Sequence, residues 1–350
     1  TIMRVFSVVL LVLVGTVFMT GPAGLLHTLT GLNATFLLLC VLTYYFLATL
    51  LPIDTLIARF YPLFGACLII MALGIMGGML FGIGGHTMPE MQLANLHPLG
   101  PEKMPIWPLM FITVACGAIS GFHSTQSPIM ARCLKDERLG RPVFYGAMVS
   151  EGIIALIWAA AGITFYDSTG GLAAAMKAGG AGTVVYDICV GFMGGGVGAV
   201  LAMLGVIACP ITSGDTAFRS ARLTLADWFG VDQVKSSKRL IFAVPLLAIG
   251  GLLSQMDFNI IWRYFSWTNQ TLAMIVLWTG AVYLFRTKKG TNSWLIPAVP
   301  ATFMSAVTCT YILQAPEGFQ LGMSISYPAG IIFAVICAGL FLRTTLMRKN

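Results

Sequence analysis

Ile106-Trp107-Pro108-Leu109-Met110-Phe111-Ile112-Thr113-Val114-Ala115-Cys116-Gly117-Ala118-Ile119 runs directly into Ser120-Gly121-Phe122-His123-Ser124-Thr125-Gln126-Ser127-Pro128. The first part is apolar, yet shorter than the roughly 20 helical residues that cross a hydrocarbon layer of about 30 Å. A crossing here therefore places hydroxyls, an imidazole, an amide, a glycine and a proline at membrane depth. Backbone that leaves the helix inside a bilayer is tolerated only where protein buries it or where it lines a wet cavity. The stretch predicts a discontinuous helix, the element that marks substrate and ion sites in secondary transporters. The alternative is a proline-kinked helix packed against its neighbours. A second polar stretch, Trp262-Arg263-Tyr264-Phe265-Ser266-Trp267-Thr268-Asn269-Gln270, precedes another short apolar run and is read the same way.

The rest of the chain supplies the membrane. Of 350 residues, 57% are hydrophobic and only 9% are charged. A soluble domain is about a quarter charged, so an ordinary cytoplasmic enzyme and a disordered chain are both excluded. The fold class is an all-α polytopic membrane protein with about ten transmembrane helices. The spans are Val5–Leu26, Ala34–Ile53, Tyr61–Gly84, Ile106–Met130, Val143–Ile163, Ile188–Ile211, Leu240–Ser254, Trp267–Phe285, Trp294–Gln314 and Ile325–Leu342, forming a single transmembrane domain. The first residue is Thr1, and the chain is expected to be truncated at its amino end.

Charge orients these spans. With alternating sides, all of the 20 Lys and Arg except Lys103, Lys177 and Arg263 fall on one face, including Arg59, Lys289, Arg348 and Lys349. Lys and Arg accumulate on the cytoplasmic side, so both termini are expected there. This distribution accounts for the net charge of +7 with the lipid bilayer as partner and without nucleic acid. Eight cysteines lie scattered without a CxxC pair, which matches neither a zinc site nor a redox couple. No metal or cofactor is expected beyond a coupling H+ or Na+.

Two acids stand apart from those in loops and at span ends. Glu151 lies inside the fifth span, where a charge at the helix centre costs about 2.5–3.5 kcal/mol and marks a functional candidate. A neutral Glu bonded to a neighbouring helix is the equal alternative. Asp215 follows the sixth run in Pro210-Ile211-Thr212-Ser213-Gly214-Asp215-Thr216. Thr212, Ser213, Asp215 and Thr216 together offer hard oxygen ligands to a small cation, or a proton acceptor. Alternatively, Asp215 or Ser213 caps an amphipathic helix over Asp215–Phe229 on the cytoplasmic face.

Substrate is expected against the fourth-span break, contacting Ser120, Gly121, His123, Ser124 and Gln126, with Asn269 and Gln270 completing a polar wall. The glycine runs Gly74-x-x-Gly77-Gly78 and Gly194-Gly195-Gly196-x-Gly198 read as close helix packing. An intramembrane enzyme would have to use His123 with Ser124 or Ser127, and one adjacent pair is weak evidence for catalysis.

The motifs Cys116–Pro128, Pro210–Arg219 and Trp262–Gln270 resemble the carbon starvation protein A family, in that family's order. The resemblance runs from about Arg4 to Leu342. It implies a bacterial inner-membrane secondary transporter that takes up peptides in starved cells, with a proton-coupled pyruvate symporter as the alternative. It also implies a partial core of the LeuT type, the inverted-repeat fold of amino acid–polyamine–organocation carriers. The fourth span would be that core's sixth helix and the sixth span its eighth. A glycine- and proline-rich break and a histidine–aspartate–phenylalanine motif of the family's amino-terminal region do not occur here.

Overall fold

The computed structural model describes residues 2–50, 53–90, 92–114, 117–288 and 291–346. Leu51 and Pro52 of the expected second span, Ala115 and Cys116 of the fourth, and the basic residues Lys289, Arg348 and Lys349 lie outside the described residues.

Helix follows helix along the chain. The first four are α1 (Ile2–Thr30), α2 (Ala34–Leu50), α3 (Ile53–Leu80) and the short α4 (Gly100–Lys103). Next come α5 (Ile106–Val114), α6 (Gly121–Cys133), α7 (Ala147–Phe165), α8 (Thr169–Met193) and α9 (Gly195–Leu201). The remainder are α10 (Ala208–Phe229), α11 (Ser236–Leu253), α12 (Phe258–Thr287), α13 (Leu295–Gln314) and α14 (Met323–Leu346). By length and composition, helical runs over Met3–Thr30, Pro62–Leu80, Glu137–Phe165, Ser236–Leu253, Leu295–Gln314 and Met323–Thr345 suffice to cross a membrane. Their outward faces fit that solvent. On α14, Ile331, Ile332, Val335 and Ile336 are each more than half exposed. Such a stripe is a liability in water. In hydrocarbon it is the expected surface.

Two compact units make up the chain, one from residues 1–10, 101–149 and 259–350, the other from residues 11–100 and 150–258. In the first, Ile112 of α5, Met274 of α12 and Met304, Val307 and Tyr311 of α13 form a buried cluster. Trp107 and Phe111 pack against it, and Phe303 joins their rings, with centroids 5.1–5.5 Å apart. In the second unit, Met71 and Ile75 of α3, Ala161 of α7 and Ile188, Cys189 and Phe192 of α8 form the core.

The first glycine run packs helices, whereas in the second a Cβ on Gly194, Gly195 or Gly196 would meet open space. A Cβ on Gly74 would lie 2.5 Å from Met193 Cε, and one on Gly78 would lie 2.6 Å from Phe192 Cβ. Small residues let membrane helices approach where no hydrophobic effect draws them together. Gly194 has a different task. Its φ of 85° and ψ of 151° end α8 and start α9, a conformation essentially reserved for glycine.

Three expectations need correction. The stretch Trp262–Gln270 does not unwind; it lies within the continuous 30-residue α12. Its hydroxyls bond back to their own helix, Ser266 Oγ to the Trp262 carbonyl at 2.8 Å and Thr268 Oγ1 to the Tyr264 carbonyl at 2.7 Å. Polar side chains satisfied in this way need no broken backbone. Second, the sixth apolar run does not stop at Ile211. It breaks at Gly194, and after a π-helical stretch over Ala202–Ile207 it continues as α10 to Phe229. Asp215 and Ser213 therefore sit inside α10 and cap nothing. Third, of the polar residues after Ile119 only Ser120 lies in the break: Gly121–Cys133 is helical, and the non-helical described residues are 118–120.

Candidate functional site

The discontinuous helix is the centre of the site. α5 is described as far as Val114, Ser120 is extended at φ −123° and ψ 128°, and α6 starts at Gly121. Gly121 is buried because α12 runs across it. A Cβ there would strike the Asn269 main-chain oxygen and stand 2.9 Å from Leu272 Cβ and 3.1 Å from the Ala273 nitrogen. Only glycine fits so close an approach.

The first turn of a helix has main-chain N–H groups without partners in the helix. Here the side chain of Asn269, fully buried on α12, supplies an acceptor. Its Oδ1 accepts from the Phe122 N–H at 2.8 Å and from the Ser120 hydroxyl at 3.3 Å. Ser124 and Ser127 hydroxyls donate to the Gly121 and His123 carbonyls at 2.6 and 2.7 Å. Gln126 Nε2 donates to Thr125 Oγ1 at 3.1 Å. His123, Ser124 and Gln126 are half-buried, whereas Gln270 beside Asn269 is fully buried. The seven expected substrate residues thus all belong to the first unit, and Ser120, Gly121 and Asn269 are in direct contact.

The expected coupling residues all belong to the second unit. Thr212, Ser213, Asp215 and Thr216 share α10, and Glu151 stands half-buried on α7. Thr212 and Thr216 hydroxyls donate to the Cys209 and Thr212 carbonyls, both at 2.9 Å. Their lone pairs remain acceptors. The Asp215 side chain is 8% exposed, and its Oδ2 accepts from Arg219 Nη2 at 3.0 Å one turn on. Arg222, also buried, donates to Gln233 Oε1. Tyr45 of α2 reaches over Gly214 to donate to the Phe18 carbonyl at 3.2 Å.

Two polar groupings escaped sequence reading. Glu317, in the turn after α13, is nearly buried, accepts from the Tyr311 hydroxyl, and faces Arg263 of α12. The signal available was Arg263, a lone cation within a tryptophan-rich polar stretch. In the second unit, His86 Nδ1 lies 3.3 Å from Asp167 Oδ1. A separation of 81 residues gave no spacing to read.

A bundle of lipid-facing helices interrupted by an unwound segment defines a polytopic membrane protein. The chain belongs to the family described as Carbon starvation protein CstA, whose sequence model matches residues 1–168 and 159–311. An uncharacterized membrane protein of Haemophilus influenzae is 37% identical over 49% of this chain and 60% of its own length. The peptide transporter CstA of Escherichia coli is 26% identical over 80% of this chain and 49% of its own length. The pyruvate/proton symporter BtsT of Escherichia coli is 31% identical over 33% of this chain and 16% of its own length. The chain thus spans 60% or less of the length of each of these relatives. No solved structure matches it.

Proposed function

We propose that this chain forms part of the transport core of a secondary active importer of peptides, driven by a proton or cation gradient. The observation that carries the reading is the α5–α6 break, with Ser120 extended and α6 restarting at Gly121. Non-helical backbone within a membrane bundle is sustained by a wet cavity or by protein around it. Substrate binds there against Ser120, Gly121, His123, Ser124 and Gln126, and the fully buried Asn269 and Gln270 of α12 back that polar surface from behind. Thr212, Ser213, Asp215 and Thr216 hold the coupling ion or proton, and Glu151 is a second proton carrier. The core is of the LeuT type, with α5–α6 as one of its two broken helices. The protein lies in the bacterial inner membrane with both ends of this chain cytoplasmic, as its basic residues favour. Family membership and the peptide transporter among its relatives support the substrate class.

Pyruvate carried with a proton is the second reading, favoured by the similarity to a pyruvate/proton symporter. Uptake of labelled pyruvate and labelled dialanine into proteoliposomes, with and without a proton or sodium gradient, separates the two. Wild type is expected to accumulate one of them, and His123→Ala to lower that uptake at least tenfold. Normal coupled uptake by both His123→Ala and Asp215→Asn would remove these residue assignments.

A further inference from the structure

We infer that Asn269 is a positioning residue which caps the broken helix from within, doing for α6 what a substrate anion would otherwise have to do. This deepens the transport reading and rests on it for its functional arm.

An exposed helix start carries a partial positive charge and orphaned N–H groups, and so attracts an anion. At α6 those requirements are met by protein. The Asn269 oxygen holds the Phe122 N–H at 2.8 Å, and the Ser120 hydroxyl completes the contact at 3.3 Å. Asn is among the best helix-capping side chains, but it normally precedes the helix in sequence. Here the residue at that position, Ser120, makes no side-chain cap of its own. The cap is delivered by a different helix, 147 residues away from Phe122. Asn269 is fully buried, so the bond does not compete with bulk water.

Steric contact reinforces the polar one. Gly121 lies against the Asn269 main chain, Leu272 and Ala273, which leaves no gap for a ligand between α6 and α12 at that level. Two consequences follow. The start of α6 and the middle of α12 move as one piece whenever the site opens or closes. The charged group of the substrate is seated elsewhere along the break, on side chains such as His123, and not on the Phe122 amide.

The test compares Asn269→Ala with Asn269→Asp. Aspartate keeps an oxygen acceptor at the same reach and is itself a good cap, whereas alanine leaves the Phe122 N–H without one. In the full-length protein in detergent, hydrogen exchange over residues 117–126 is expected to accelerate about five- to tenfold in Asn269→Ala, the size of a lost cap. Asn269→Asp should stay within about twofold of wild type. Peptides from α13 and α14 serve as the control for an intact fold. In proteoliposomes, Asn269→Ala should lower the maximal uptake rate of labelled dialanine or pyruvate with little change in KM. Unchanged exchange in Asn269→Ala overturns the inference, as does equal acceleration in Asn269→Asp. A raised KM at an unchanged maximal rate also overturns it, because that pattern belongs to a direct substrate ligand. Should wild type carry neither probe, the transport reading fails while the exchange result still decides the cap.

Discussion

Arg263 Nε lies 3.6 Å from Glu317 Oε2, with the arginine side chain 41% exposed and the glutamate only 4% exposed. The pair joins α12 to the turn that follows α13. Tyr311 donates its hydroxyl to the other carboxylate oxygen, and Tyr264 donates to the Glu317 main-chain carbonyl at 3.2 Å. The asymmetry in exposure decides which partner is the more dangerous to remove. Without Arg263 a buried carboxylate loses its counter-charge, and breaking a buried pair in this way costs about 3 kcal/mol. Without the negative charge, Arg263 still reaches water and Tyr311 still has an acceptor in Gln, so Glu317→Gln should cost about 1 kcal/mol. Thermal unfolding in detergent checks this order, and an equal drop in Tm for both variants would refute it.

Gly194 carries a backbone demand in the second unit that glycine alone meets easily. Its φ of 85° and ψ of 151° suit glycine, and α9 begins at the next residue. Gly194→Ala should destabilise by about 1–3 kcal/mol. Gly195→Ala is the matched control, because a Cβ there meets open space. Equal melting temperatures for the two variants would show that the turn at Gly194 is not strained by a side chain.

Tyr45 and Gly214 are tightly apposed: a Cβ on Gly214 would overlap the Tyr45 hydroxyl and stand 2.8 Å from its Cζ. Overpacking of this kind costs about 1–3 kcal/mol. Tyr45→Phe alone forfeits the bond to the Phe18 carbonyl, a net loss of about 1 kcal/mol. Removing the hydroxyl also clears space for the alanine. The double variant should therefore lose less stability than the two single losses added together, a coupling of contacting residues that a double-mutant cycle in thermal unfolding measures. Strict additivity would contradict this packing.

Asp215 and Arg219 form an i, i+4 pair within α10, with Asp215 8% exposed. Asp215→Asn keeps an oxygen for Arg219 while removing the negative charge. Gradient-driven accumulation should then fall at least tenfold, with substrate exchange at equal concentrations persisting. Loss of both activities together with a lower Tm would mark Asp215 as structural, and retention of both would remove it from the coupling step.

The amino-acid order alone established the solvent and the class of fold. Apolar runs near 20 residues and a charged fraction of 9% point to hydrocarbon as the solvent of most of this chain. The family motifs were equally legible, and so was a candidate break after Ile119, since an apolar stretch too short to cross ends either in a break or in polar residues that the helix itself satisfies. Polar composition by itself could not tell a break from a satisfied helix. Ser120–Pro128 and Trp262–Gln270 read alike in sequence, yet the former begins in unwound backbone at Ser120 and the latter lies inside α12. The difference comes from contacts made across long separations. Asn269 reaches Phe122 and stabilises a helix start there, while the hydroxyls around Asn269 bond within their own helix. The Glu317 contact with Arg263 was hidden for the same reason. Local pattern sets which backbone groups must be satisfied, but only packing decides which distant side chain satisfies them.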